Sequence, residues 1–343
     1  MKINVEVDCT QEEARSFLGL PDVSEANSLY VDNITKAMQG DAQWPRVYEE
    51  SATSMLMAGR PEDAKRITQL AARNGVASEA MVALNDALAK VVRGPKWRKR
   101  FEVRSANYHV MSNMDMATAK EASRILEQAF EAYRQTFGWV PRDKTRLFKV
   151  YLFNTRDGFM GYMGDLEHFM GKPNDQAAGV YTPLLKQLLI WNLPQRSEMF
   201  NTVRHEGFHQ YLDRLMSSPP VWFNEGLAVY HENARNVRGS LKFGDLHPRR
   251  LALLLQKGFF PLEEFVNQSH PEYYKGGLRS YAQAWALIHF FKHGKSKYRK
   301  VFKELVEDMQ TMSAQEVLAK HFSKDKLKDL EPAFRAYVRG LKP

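Results

Sequence analysis

Residues 200–232 read FNTVRHEGFHQYLDRLMSSPPVWFNEGLAVYHE. Within them, His205-Glu206-Gly207-Phe208-His209 is an H-E-x-x-H match. At about 100° per residue, two histidines four positions apart sit only about 40° apart around a helix. Both imidazoles can therefore reach one metal ion. Glu206 projects about 100° from His205 and about 60° from His209, near enough to touch a water beside that ion. Phe200, Val203, Phe208, Tyr211, Leu212 and Leu215 surround the polar stripe with apolar side chains, as a buried helix requires.

A catalytic zinc takes three protein ligands and keeps a fourth position open. Downstream of His209 the chain reads Trp222-Phe223-Asn224-Glu225-Gly226-Leu227-Ala228. Pro219 and Pro220 suit the first turn of a second helix, with Ser218 as its N-cap. Two antiparallel helices joined by the turn Ser217-Ser218-Pro219-Pro220 bring Glu225 back toward the histidines and complete a His₂Glu set. Metal-bound histidines usually donate their other ring nitrogen to a carboxylate or carbonyl. Asp213 and Glu232 are candidates for that task, and solvent-facing charge is the plain alternative for each. His231 reads as structural, and His168, His289 and His293 have no ligand spacing with anything.

HEGFH followed by WFNEGLAVYHE resembles the gluzincin clan of zinc peptidases. The likeness to the one-zinc aminopeptidase pattern runs over Asn224-Glu225-Gly226, Ala228, Tyr230 and Glu232. From about residue 107 to about 340 the chain resembles the bacterial peptidase-MA-like group. The resemblance implies one zinc ion per chain, held by His205, His209 and Glu225, with Glu206 as general base and a peptide or protein as substrate. It implies an α+β, gluzincin-like domain: a small mixed sheet plus active-site helices, then a mainly helical C-terminal part. Tyr281-Ala282-Gln283-Ala284-Trp285-Ala286-Leu287 is similar to the aminopeptidase segment whose tyrosine stabilises the transition state, which makes Tyr281 the candidate oxyanion donor. A core tyrosine beside Trp285, Ile288 and Phe291 is the other reading, and Tyr230, Tyr273 and Tyr274 are rivals. The resemblance also makes Leu188–Asn192 an edge strand that binds extended peptide. No close copy of the aminopeptidase G-x-M-E-N segment is found, and the spacing from His209 to Glu225 is shorter, so aminopeptidase specificity does not carry over.

Outward from the motif, Asn107–Ser112, Arg146–Phe153, Val180–Pro183 and Leu188–Asn192 read as strands. Helices are expected at 117–137, 155–171, about 195–216 and 219–234, with a mainly helical chain from about 245 to 343. The domain reading is a zinc peptidase domain over 100–343, its α+β part at about 105–235. Residues 41–95 form a helical hairpin region, broken at Gly59-Arg60-Pro61 and Gly75 and loosely similar to a tetratricopeptide unit. It either packs on the rest or docks a protein partner. Residues 1–40 read as a small α/β unit: Ile3, Val5 and Val7 alternate with polar residues, and Thr10–Glu13 fits a capping box. The stretch VDCTQEEARSFLGLPDV resembles the opening of a family of short, uncharacterised proteobacterial proteins.

The 343 residues are 44% hydrophobic and 26% charged, an ordinary globular balance. No apolar run approaches the length of a membrane span, and the N-terminus shows no secretory signal. The single cysteine, Cys9, excludes an intramolecular disulfide framework and any cysteine-rich zinc site. These features lead us to expect a cytoplasmic protein. The net charge of +9 is concentrated at Lys96–Arg100, Lys295–Lys300 and Lys324–Lys328. No nucleic-acid motif accompanies it, so solvated helix faces are expected and no nucleic-acid partner. The functional expectation is hydrolysis of peptide bonds. The alternatives are a zinc hydrolase of other amides or esters, and a non-catalytic zinc-stabilised protein that docks a partner through residues 41–95.

Overall fold

The computed structural model describes residues 44–138, 147–216, 218–238 and 240–342, so the unit expected over residues 1–40 lies outside the described residues. Three helices come first: α1 (Trp44–Met57), α2 (Pro61–Arg73) and α3 (Glu79–Arg93). Then follow β1 (Phe101–Arg104), β2 (Tyr108–Ser112), α4 (Met116–Phe137), β3 (Phe148–Phe153), α5 (Arg156–Asp165) and α6 (Glu167–Met170). Next come β4 (Gly179–Thr182), β5 (Gln187–Trp191), α7 (Arg196–Leu212) and α8 (Val221–Glu232). A hairpin, β6 (Ala234–Val237) and β7 (Ser240–Phe243), leads to the remaining helices. These are α9 (Pro248–Lys257), α10 (Leu262–Val266), α11 (His270–Lys275), α12 (Leu278–His293), α13 (Ser296–Asp308), α14 (Ala314–His321) and α15 (Lys324–Gly340). The class is α+β, mostly helical, with small sheets.

Strand order in the main sheet is β1-β2-β3-β5-β4. β2, β3 and β5 run parallel, with Val110, Val150 and Leu188 in register, while β1 and β4 pair antiparallel at the two edges. Parallel strands are covered on both faces and so read as nearly unbroken apolar runs. Because side chains alternate along a strand, β3 sends Val150 and Leu152 to one face and Tyr151 and Phe153 to the other. The first face packs on α4 and α7 through Leu126, Phe130, Tyr133, Phe208 and Tyr211. The second packs on α1–α3 and α5 through Ala52, Leu56, Ala64, Leu88, Phe159 and Tyr162. The N-terminal helices therefore share a core with the sheet.

The helix expected at 117–137 is α4, and its ends have local causes. Asp115 accepts from Thr118 N at 2.7 Å to open α4, and Gly138, with φ 67°, closes it. Three expectations need correction. Leu188–Asn192 is no edge: β5 pairs with β3 on one side and β4 on the other, and β4 is the edge strand at that end of the sheet. Pro220 sits at the N-cap of α8, extended with ψ 139°, and neither proline enters the helix. The residue before a proline is biased away from helical geometry, which disfavours Pro219 as a helical residue too. The hairpin β6–β7, short and polar, and the edge strand β1 carry no strong pattern and were not expected.

Two glycines set how closely the site's helices approach. A Cβ at Gly207 would lie 2.8 Å from Leu126 Cδ2, and one at Gly226 would lie 2.7 Å from the Ala284 carbonyl oxygen. α7 thus seats on α4, and α8 on α12. In that core His289 is buried, its Nδ1 accepting from Tyr337 OH at 2.8 Å and its Nε2 donating to Gly244 O at 3.3 Å. Burial, with the neighbouring His293 adding to it, pushes His289 down to about 4.

The sign follows from linkage. The unfolded chain takes up the proton near the ordinary value of 6.5, before the folded one does. Stability contributed by neutral His289 is thus full above pH 6.5 and is lost as pH falls toward 4, about 3 kcal/mol at most. Thermal unfolding followed from pH 7 to pH 4 should show a falling Tm, with a shallower fall in His289→Gln. Parallel profiles for the two proteins would remove His289 from the acid limb.

Candidate metal centre

α7 is buried nearly all round, by Met199, Phe200, Val203, Phe208 and Tyr211 among others. It is tied at both ends of the motif. Tyr133 OH donates to Arg204 O at 2.7 Å, and Gln210 Nε2 donates to Lys149 O at 3.0 Å. α8 returns antiparallel to it, clamped by the Arg204 guanidinium, which donates twice to Glu232 O at 3.0 and 2.8 Å.

The expected triad is brought together. Nε2 of His205 and Nε2 of His209 each lie 3.5 Å from Glu225 Oε2, and the three donor atoms fall within 4.8 Å of one another. Bonds of about 2.0 Å in a tetrahedral zinc site place donors about 3.3 Å apart, which the two histidine–glutamate distances of 3.5 Å approach. The chemistry of the set fits as well. Glu225 Oε2 is buried and has no hydrogen-bond partner, an expensive state for a carboxylate oxygen unless a cation meets it. Its other oxygen, Oε1, accepts from Tyr274 OH at 2.9 Å. That bond directs Oε2 alone at the histidines.

Both imidazoles are oriented from behind. His205 Nδ1 donates to Glu232 Oε2 at 2.9 Å, and His209 Nδ1 donates to Asn224 Oδ1 at 2.8 Å. With Nδ1 protonated, the Nε2 lone pair of each ring points into the site. Glu232 is held in turn by Arg250 Nη2 at 2.7 Å. Burial opposes charge on His205, but Glu225 and Glu232 outweigh it and raise it to about 10. Against the same cost of burial, Glu225 raises His209, and the two histidines hold Glu225 far below the usual carboxylate range. A divalent cation at the two Nε2 atoms would offset the buried carboxylate and exclude protons from those nitrogens.

Glu206 is not part of the donor set. Its Oε2 accepts from the backbone N–H of Tyr181 at 2.9 Å, on the open edge of β4. Both lie in a cleft of about 930 Å³ whose walls include Met163, Met170, Lys172, Leu212, Tyr274 and Tyr281. Tyr281 thus reaches the cleft from α12, and its hydroxyl makes no hydrogen bond among the described residues. Tyr273 is fully buried beside it, and Tyr230 binds His293 at 2.9 Å, outside the cleft. Of the two acids proposed for the histidines, Glu232 takes the role and Asp213 does not. Asp213 instead accepts from Tyr181 OH at 2.6 Å and Lys186 Nζ at 2.5 Å. His231 is buried against Phe208, donates to Leu227 O at 2.8 Å, and is structural. Asn224, Tyr274 and Arg250 were missed as orienting groups. Asn224 had a signal, its place beside Glu225, whereas Tyr274 and Arg250 are joined to the site only by folding.

Residues 1–44 match a family of unknown function (DUF6489). Comparison with curated proteins gives no match.

Orienting groups beyond the ligands typically contribute 10–100-fold to metal affinity. With zinc as the probe metal, Glu232→Gln and Asn224→Ala should each lower the affinity of the triad by about that factor while keeping the fold, as read by competition with a chromogenic chelator. Unchanged affinity in both would mean that the imidazoles need no support.

Proposed function

We propose that the protein is a zinc-dependent metallopeptidase of the gluzincin type, with one zinc held by His205, His209 and Glu225. The observation that carries this reading is the buried Glu225 Oε2, without a hydrogen bond and 3.5 Å from two Nε2 atoms whose rings are fixed from behind. A zinc ion there supplies a Lewis acid that lowers the pKa of a water toward 7 and polarises a scissile carbonyl.

The chain's own groups supply the rest. Glu206, outside the donor set and facing the cleft, takes the proton of the attacking water and passes it to the leaving nitrogen. A purely structural metal site has no use for such a base. Tyr281 offers its uncommitted hydroxyl to the oxygen on which negative charge develops. Tyr274 is less suited, because its hydroxyl is spent on Glu225. β4 is the strand that offers an open edge beside Glu206, so an extended peptide adds there by main-chain hydrogen bonding, and not along β5.

Elemental analysis tests the site first. About one zinc per wild-type chain, largely lost in Glu225→Ala, is expected; no zinc after reconstitution would sink the proposal. In a peptide-library digest, Glu206→Gln should keep its zinc and lose at least about 100-fold in turnover. Cleavage of small esters with no peptide cleaved would move the substrate class away from peptides. Tyr281→Phe should lower kcat about tenfold or more with metal content intact, and wild-type turnover would remove Tyr281 from the mechanism.

A further inference from the structure

On the far side of α8 from the metal centre lies a second cavity, of about 520 Å³, between α4, the β6–β7 hairpin, α8 and α12. Lys292 forms part of its wall. The Lys292 Nζ donates to Thr136 Oγ1 at 3.0 Å and rests 4.8 Å from the centre of the Tyr230 ring and 5.6 Å from that of Phe302. Among the described residues, no carboxylate lies within ion-pair distance of it. Lys292 is half-buried, and an ammonium withdrawn from water without a counter-charge is costly. Burial alone draws Lys292 down to about 8, with no acid opposing it.

Other cavity walls are polar and carry more positive charge. Ser240 and Lys242 come from β7 and are exposed at the rim. The one carboxylate of the wall, Glu131, is engaged by Arg134 at 2.6 and 2.9 Å and by Gln135 at 3.3 Å. The volume falls in the range of small-molecule sites. We propose that this cavity binds a small molecule through an oxyanion, a carboxylate or phosphate group that pairs with Lys292 and accepts from Ser240, while Thr136, whose hydroxyl donates to Ala132 O at 3.1 Å, holds the ammonium in place. The inference does not rest on the zinc reading, since none of these residues touches the metal centre.

The test is a thermal-shift titration of the full chain with sodium phosphate and, separately, sodium acetate, against sodium chloride of equal ionic strength. Wild type should show a saturable rise of about 2–5 °C with at least one oxyanion, and Lys292→Met should show none. A response to phosphate alone assigns a phosphate ligand, and one to acetate alone a carboxylate. Glu225→Ala should respond as wild type does, which separates this site from anion binding at the metal centre. Amine acetylation followed by mass spectrometry gives a second reading that needs no substitution: the effective anion should slow modification of Lys292 at least threefold, leaving exposed lysines unchanged. Equal shifts in wild type and Lys292→Met, or unaltered labelling of Lys292, would overturn the proposal.

Discussion

A carboxylate buried between two imidazoles is the constraint around which this molecule is arranged. Glu225 sits on α8 and the two histidines on α7, so the contact exists only while these helices hold one register. Arg204 enforces the register from one side by binding the last carbonyl of α8, that of Glu232. Gly226 enforces it from the other, since only a residue without Cβ lets α8 lie against the Ala284 carbonyl. The charged groups are then tied to one another in sequence: Tyr274 to Glu225, Glu232 to His205, Arg250 to Glu232. A buried polar network of this kind rigidifies a site when its members are satisfied. The atom it leaves unsatisfied, Glu225 Oε2, is the one a cation would meet.

The sheet serves this arrangement twice. Its parallel centre gives α7 a rigid platform through Leu188, Ile190 and Phe148. Its last strand, β4, passes alongside α7, and the same strand that fixes Glu206 by one N–H has its other flank paired to β5. The floor of the cleft and the orientation of Glu206 are thus one structural fact. The N-terminal helices brace the opposite face. Gly59, with φ 67°, lets the α1–α2 turn rest on Lys186, and Lys186 in turn neutralises Asp213. That ion pair removes Asp213 from the histidines' reach and places it in the cleft wall instead.

Much of this was legible in the chain. The four-residue histidine spacing, the glutamate within it and the Trp222–Ala228 stretch determined which side chains converge, because helical periodicity and an antiparallel return leave little freedom. Apolar runs over Arg146–Phe153 and Leu188–Asn192 declared the strands observed at Phe148–Phe153 and Gln187–Trp191, and apolar periodicity over 117–137 declared α4. These are local signals, set within a turn or a strand. Strand order was not local. That β5 lies inside the sheet and β4 outside depends on pairing between segments far apart in sequence, which no run of residues encodes. The partners of the site were likewise decided by tertiary structure: Tyr274 reaches Glu225 across 49 positions, and Asp213 turns to Tyr181 across 32. The sequence by itself determined the chemistry that could assemble, through residue type and helical spacing. Only the fold decided which oxygen stays unpaired, which strand edge faces Glu206 and which lysine lacks an acid, because each depends on long-range packing and on the burial it creates.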